Sequence, residues 1–273
     1  MKSAGQPRMP TAPSPPAFAD ATAGERKGGE RTLRVCSVSL LVDLAGALYW
    51  PEESTLVVAD LHLEKGSSFA ARGMLLPPYD TATTLALLGR VIARHAPRLV
   101  IALGDSFHDG EGPARVMPQD RATLAGLQRG RDWVWIAGNH DPDPAPNIGG
   151  VFAKSVSLGP LTFRHEPTPR VGACSSRQTG VHFAGTCAGP ADGEIAGHLH
   201  PSARVSQRGR AVTRKCFAAD DRRMIMPAFG AYAGGLNIRD RAFARVFGAL
   251  AFTAHLMGER RLYAFAAARC LAG

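Results

Sequence analysis

The sequence predicts one large α/β domain, and three observations predict it. Three apolar runs, Ser54 to Asp60, Arg98 to Asp105 and Asp132 to Asn139, each close on a polar side chain. Between them lie two stretches with helical spacing of apolar residues, Asp80 to His95 and Asp120 to Arg129, both opening on Asp. The intervals, 45 residues from Asp60 to Asp105 and 34 from Asp105 to Asn139, leave room for right-handed crossovers between parallel strands. Buried parallel strands present functional side chains at their carboxyl ends, so three such ends converge on one sheet edge.

The rest of the chain fits around that frame. Residues 1–31 are rich in Pro, Ala, Gly and charge with no apolar period, which predicts a disordered tail before a single domain over 32–273. Leu33 to Trp50 reads as two short strands around the turn residues Ala45 and Gly46. Past Asn139 the pattern becomes short strands with turns: Ser155 to Leu158, Leu161 to His165, Gly193 to Ala196, Ala211 to Phe217 and Met224 to Met226. Phe252 to Met257 and Arg261 to Phe265 form a late hairpin around Gly258-Glu259-Arg260. Residues 168–192, rich in Gly, Ser and Cys without a period, read as a loop insertion.

Composition narrows the class. With 45% hydrophobic and 20% charged residues in 273, the chain can bury a substantial core, which excludes disorder throughout. A formal net charge of +9 favours an anionic partner: nucleic acid, a phosphorylated metabolite or a membrane surface. No run approaches the ~18 apolar residues of a spanning helix, and the Pro-rich N-terminus lacks a signal-peptide core. Five scattered cysteines without a CxxC pair indicate neither a disulfide framework nor a thiolate zinc site. A soluble protein of the reducing cytoplasm, not inserted in a membrane, is the expectation.

The polar residues at the strand ends carry the chemistry. Asp60-Leu61-His62 puts two ligand-type side chains on one side of an extended segment. Gly104-Asp105 and Gly138-Asn139-His140-Asp141 close the next two apolar runs, His165 follows Leu161-Thr-Phe-Arg, and Gly197-His198-Leu199-His200 follows Ile195-Ala196. Each alone reads as well as a polar turn or a surface histidine; their order at strand ends carries the inference. All are nitrogen or oxygen donors, a set that suits Mn, Fe or Zn.

Taken in this order, Asp-x-His, Gly-Asp, Gly-Asn-His-Asp, His and Gly-His-x-His resemble the signature of the calcineurin-like metallophosphoesterase superfamily, over residues 32 to 265. The resemblance implies a four-layer αββα sandwich with metals at strand carboxyl ends. It implies two divalent metal ions, Mn first: one on Asp60, His62 and His200, the other on Asn139, His165 and His198, with Asp105 bridging. Two carboxylates against two divalent ions leave a site of net charge about plus two, which attracts phosphate. The chemistry implied is in-line attack of an activated water on phosphorus, with His140 protonating the leaving oxygen and Asp141 orienting its ring.

A narrower likeness lies in Asp60-Leu-His-Leu-Glu-Lys-Gly-Ser-Ser-Phe-Ala70 with Arg72-Gly and Leu76-Pro-Pro-Tyr-Asp80, in Gly104-Asp-Ser-Phe-His-Asp109, and in Pro227-Ala-Phe-Gly-Ala-Tyr-Ala-Gly-Gly-Leu-Asn237. These look like the bacterial ligase-associated DNA-damage-response endonucleases. That subfamily implies a cytoplasmic phosphodiesterase or nuclease acting on DNA beside a DNA ligase, a helicase and an exonuclease. Two alternatives use the same residues differently: a nucleotide, dinucleoside-polyphosphate or cyclic-nucleotide phosphoesterase, or a non-catalytic scaffold in a repair assembly. The complete ligand set and His140 argue against the scaffold.

Lys65, Arg72 and His108 are the candidate substrate-binding residues. The first two follow the first ligand pair, where they bind flanking phosphates or serve as solvated helix-face charges. His108 stands where the commoner Gly-Asp-x-x-Asp form has its second Asp. His95, His182 and His255 read as structural or surface residues, and Trp133 and Trp135 as packing. The Arg-rich stretch Arg204 to Lys215 reads as a solvated turn, with a nucleic-acid contact surface as its alternative.

Overall fold

The computed structural model describes residues 31–145, 147–170, 181–182, 193–207, 209–248 and 250–273. The tail assigned to 1–31 falls outside them except for Arg31, which opens the first strand, and most of the 168–192 insertion falls outside them too.

The first sheet has seven strands in chain order: β1 (Arg31–Val35), β2 (Val38–Val42), β3 (Leu48–Trp50), β4 (Thr55–Val58), β5 (Leu99–Ala102), β6 (Asp132–Ile136) and β7 (Val151–Ala153). β1 to β4 run antiparallel by hairpins, and β4 to β7 run parallel. Leu33 to Trp50 therefore holds three strands where two were expected. The apolar run is broken at Cys36 and Ser37, whose φ of 45° and 68° turn the chain back, a conformation that costs an L-residue about 1–2 kcal/mol and does not show in residue type.

The connections include the two helices that the spacing predicts and two short ones that it does not. α1 (Lys65–Ala71) and α2 (Asp80–His95) join β4 to β5, and α3 (Gly112–Arg115) and α4 (Pro118–Gln128) join β5 to β6. In α2 the buried Thr81, Thr84, Leu85, Leu88, Val91 and Ile92 recur at helical spacing along one face. It stops at Ala96, left-handed at φ 44° with its N–H on the Ile92 carbonyl, just before Pro97, which cannot continue a helix. α4 starts two residues earlier than expected, because Pro118 sits in the first turn, where a missing N–H costs nothing.

The second sheet has ten strands: β8 (Ser155–Leu158), β9 (Leu161–Arg164), β10 (Val181–His182), β11 (Gly193–Ala196), β12 (Pro201–Gln207), β13 (Arg210–Ala219), β14 (Arg223–Ile225), β15 (Leu236–Asn237), β16 (Thr253–Met257) and β17 (Leu262–Ala266). β9, β11 and β14 run parallel side by side, and β16 and β17 make the late hairpin. Arg204 to Lys215 is not a solvated turn: it spans most of the antiparallel β12–β13 hairpin, with Ser202 opposite Lys215 and Val205 opposite Val212. α5 (Arg241–Phe247) packs beneath this sheet. The Asp240 side chain accepts from the Ala242 N–H at its start, and Gly248 takes the left-handed end position at φ 79°.

Three cores define the layers. Val57, Ile101 and Val134 of the first sheet meet Val156, Phe163, Ile195 and Phe217 of the second in the central core. The outer face of the first sheet packs Val58, Val100, Trp133 and Trp135 against Leu85, Leu88, Val91 and Leu124 of α2 and α4. The outer face of the second buries Ala218, Ala254 and Leu256 against Phe243, Val246 and Phe247 of α5. The fold is the αββα sandwich. No helix among the described residues is long and apolar enough to cross a membrane.

Candidate metal centre

The two sheets bring their parallel strand ends to one place. β4 leads into Asp60 and His62, β5 into Asp105, β6 into Asn139, β9 into His165, and β11 into His198 and His200. The backbone bends sharply at the ends of β4, β5 and β11: Asp60, His62, Asp105, His198 and His200 all have φ between 43° and 69°. Strain of about 1–3 kcal/mol per residue concentrates at functional sites, where the surroundings hold it in place. Glycine precedes Asp105, Asn139 and His198 because there is no room for more. A Cβ on Gly138 would lie 2.2 Å from the Asp105 nitrogen, and one on Gly197 would lie 2.7 Å from Asp60 Oδ2.

Two clusters result. Asp60, His62 and His200 offer ligand atoms within 4.8 Å of one another, and so do Asp105, His165 and His198. Asn139 Oδ1 joins the second, 2.9 Å from both His165 Nε2 and His198 Nδ1. Asp105 faces both: its Oδ2 is 4.0 Å from His62 Nε2 and its Oδ1 3.4 Å from His165 Nε2. Backbone donors orient the carboxylates, with the His198 N–H on Asp60 at 3.1 Å and the His140 N–H on Asp105 Oδ1 at 2.9 Å.

The donor chemistry fits cations. His165 Nδ1–H donates to the Leu103 carbonyl at 2.8 Å, which aims Nε2 at Asn139 Oδ1 and Asp105 Oδ1, both acceptors. His62 Nε2 and His200 Nε2 stand 3.3 Å apart in the other cluster. Acceptors crowded this way repel unless a positive ion lies between them. Burial, and then the positive charges of His200, His140, His108 and Lys65, lower the His62 pKa to about 2, and burial lowers that of His198. Both rings therefore stay neutral, as ligand imidazoles must.

Beside these clusters stands His140, half exposed, with Nε2 3.9 Å from Asp105 Oδ2. Its Nδ1–H donates to the His108 carbonyl at 2.8 Å, which leaves Nε2 on the open side. Asp141 does not orient this ring, as was expected of it. Its Oδ2 accepts from the Ser106 and Phe107 N–H groups at 2.8 and 3.0 Å, and its Oδ1 from Gly138 N–H at 3.1 Å. Asp141 thus ties the loop after β5 to the loop after β6. Burial raises its pKa to about 6, against those three backbone donors.

The three candidate substrate-binding residues gather around Phe69 of α1. The His108 ring lies 5.6 Å from it and stacks at 5.3 Å on His140, while Lys65 and Arg72 each lie 5.9 Å from the Phe69 centroid. Arg72 also donates to Ser68 at 3.0 Å and lies 3.9 Å from Asp109. His95 is elsewhere, paired with Asp43 at 3.0 Å and stacked on Tyr49 at 4.6 Å. His255 is buried in the second sheet, Trp133 and Trp135 lie in the outer core, and the side chain of His182 is outside what is described.

A family model for calcineurin-like phosphoesterases matches residues 54–173, the stretch from β4 to just past His165. No curated protein gives a significant match. Among solved structures, the chain is similar to the nuclease MPE of Pseudomonas putida, with a TM-score of 0.60 and 26% identity, covering 86% of this chain and 100% of that one. Family match, sandwich architecture and paired clusters agree: residues 54–173 match the calcineurin-like phosphoesterase domain, and the side chains gathered there could hold metal ions.

Proposed function

We propose that this chain is a DNA endonuclease of the ligase-associated damage response, a two-metal phosphodiesterase that uses manganese in the cytoplasm. The observation that carries the reading is Asp105, which offers one carboxylate oxygen to each of two ligand clusters. A shared carboxylate suits two ions held close together, as two-metal phosphoryl chemistry uses them. Likeness to a nuclease and the net charge of +9 favour a polyanionic substrate over a small phosphoester. Work beside a DNA ligase, a helicase and an exonuclease is part of the proposal through the motifs in 60–80, 104–109 and 227–237.

Asp60, His62 and His200 would hold one ion and Asn139, His165 and His198 the other, with Asp105 offering an oxygen to each. When bound, the two ions neutralise the phosphodiester and ready a water for attack. His140 gives its Nε2 proton to the departing oxygen. Its other nitrogen is fixed on the His108 carbonyl, so the ring presents one edge to the reacting bond. Asp141 acts through backbone, holding the loops of Asp105 and His140 together. Lys65, Arg72 and His108 contact the phosphates on either side.

Hydrolysis of defined single-stranded and duplex DNA, nucleotides and aryl phosphodiesters with added Mn tests the reading, alongside Asp105→Ala. DNA cleavage by the wild type, lost together with metal in the variant, is the expected result. Turnover of nucleotides but of no DNA would refute the endonuclease, and full activity without bound metal would refute the mechanism.

A further inference from the structure

The run Pro227-Ala-Phe-Gly-Ala-Tyr-Ala-Gly-Gly has no role in the chemistry above, yet its backbone bonds to the segments that carry one ligand cluster. It leaves the second sheet after β14, where the Met226 N–H donates to the Ala196 carbonyl at 2.8 Å. It then docks on the first sheet, with Phe229 N–H on the Ala59 carbonyl at 2.8 Å and Gly230 N–H on the Asp60 carbonyl at 3.1 Å. It returns to the second sheet at Leu236, whose N–H donates to the His200 carbonyl at 2.9 Å. The segment is therefore a strap between the chain stretches that carry Asp60 and His62, from one sheet, and His200, from the other.

Two features show that this contact is built closely. A Cβ on Gly230 would lie 2.2 Å from the Leu61 carbonyl oxygen, between the two ligands of the Asp-x-His pair, so only glycine allows the approach. From β13, Lys215 reaches under the strap and its ammonium donates to the Ala228 carbonyl at 2.8 Å and the Gly230 carbonyl at 3.3 Å. Burial lowers the Lys215 pKa and the charge of Asp60 opposes that shift, which puts this cation within electrostatic range of the ligand. A lysine with two carbonyl acceptors in a partly dry setting serves as an anchor, since losing it leaves both acceptors unpaired.

We infer that the strap Met226–Leu236, anchored by Lys215, is the positioning element of the Asp60–His62–His200 cluster and sets that cluster's affinity for a divalent ion. The inference rests on the two-metal reading of the site. Groups that orient metal ligands from outside change affinity by about 10–100-fold when removed. The strap bonds the carbonyls of Asp60 and His200, two ligands of one cluster, and reaches the other only through Ala196, two residues before His198, so its loss weakens one ion more than the other.

The test is Mn binding to the full chain, followed by calorimetric titration and by the electron paramagnetic resonance of the bound ion, with no turnover measurement involved. Wild type is expected to bind two ions. Lys215→Met, of similar length and without the charge, should weaken one of the two by about tenfold or more and the other clearly less. Lys215→Arg should recover most of the affinity, and Gly230→Ala should act like Lys215→Met or more strongly. Urea unfolding of the metal-free variants checks that they fold; if Gly230→Ala does not, the lysine pair decides. Two ions bound at wild-type affinity in Lys215→Met, or equal weakening of both, overturns the inference while the two-metal reading stands. A wild type that binds no Mn overturns both.

Discussion

His255 is expected to make the fold acid-sensitive, by an amount that follows from its burial. It lies on β16 in register between Phe217 and Ala264, 7% exposed, and its Nδ1 has no hydrogen-bond partner. Burial, and then the charge of Arg31, lower its pKa from 6.5 to about 4. Arg34, Asp220 and Asp221 line the same cavity. Between these two values the unfolded chain takes up a proton that the folded chain refuses, so stability is complete above about pH 6.5 and is lost as pH falls toward 4. At about 1.4 kcal/mol per pKa unit, acidification from pH 7.5 to 5 costs about 2 kcal/mol, a large part of a typical 5–15 kcal/mol total. Urea unfolding of wild type and His255→Leu at both pH values isolates this contribution, because every other titrating group is common to the two. The leucine variant should lose about 2 kcal/mol less than wild type on acidification. Equal losses would refute the reasoning.

Replacing His140 by Asn should lower turnover about 10²–10⁴-fold for esters with poor leaving groups and far less for activated aryl esters; equal loss on both, in steady-state rates, would count against proton donation. Asp141→Asn should destabilise the protein by about 1–3 kcal/mol, because an amide turns a donor toward one of the three backbone N–H groups that the carboxylate accepts. Unchanged urea midpoints would show that those contacts do not matter to the fold.

What the sequence discloses about this site, and what it conceals, has a physical cause. Asp60, Asp105 and Asn139 are legible because β4, β5 and most of β6 are buried, so their residues are apolar up to the point where a polar side chain is needed. α2 is legible because it is long enough to show its period. α1 is not: it has seven residues, and the Glu64 before it is left-handed with no side-chain cap. β12 is hidden because Arg204 and the exposed Ser206 and Gln207 break its apolar pattern, whereas β13 shows over Ala211 to Phe217, within its span of Arg210–Ala219. The partner of His140 could not be read at all. It is the carbonyl of His108, and a backbone atom leaves no mark in residue type.

Each ligand cluster draws on both sheets, which couples metal binding to the sandwich itself. Asp60 and His62 follow β4, while His200 follows β11; Asp105 follows β5, while His165 and His198 follow β9 and β11. Without a cation, acceptors such as His165 Nε2, Asn139 Oδ1 and Asp105 Oδ1 face one another at 2.9 to 3.4 Å across the junction of the sheets. That repulsion is released when the sheets part. An ion that binds only the folded chain stabilises it by about 2.7 kcal/mol at a hundred times its dissociation constant. For a domain of this size that corresponds to a rise in Tm of roughly 5–10 °C. Thermal unfolding with Mn and with chelator measures the shift, and His200→Ala and His165→Ala should each remove part of it. Mn that binds the wild type without raising its Tm would mean that the unfolded chain binds it equally well, so that the junction of the two sheets does not create the site.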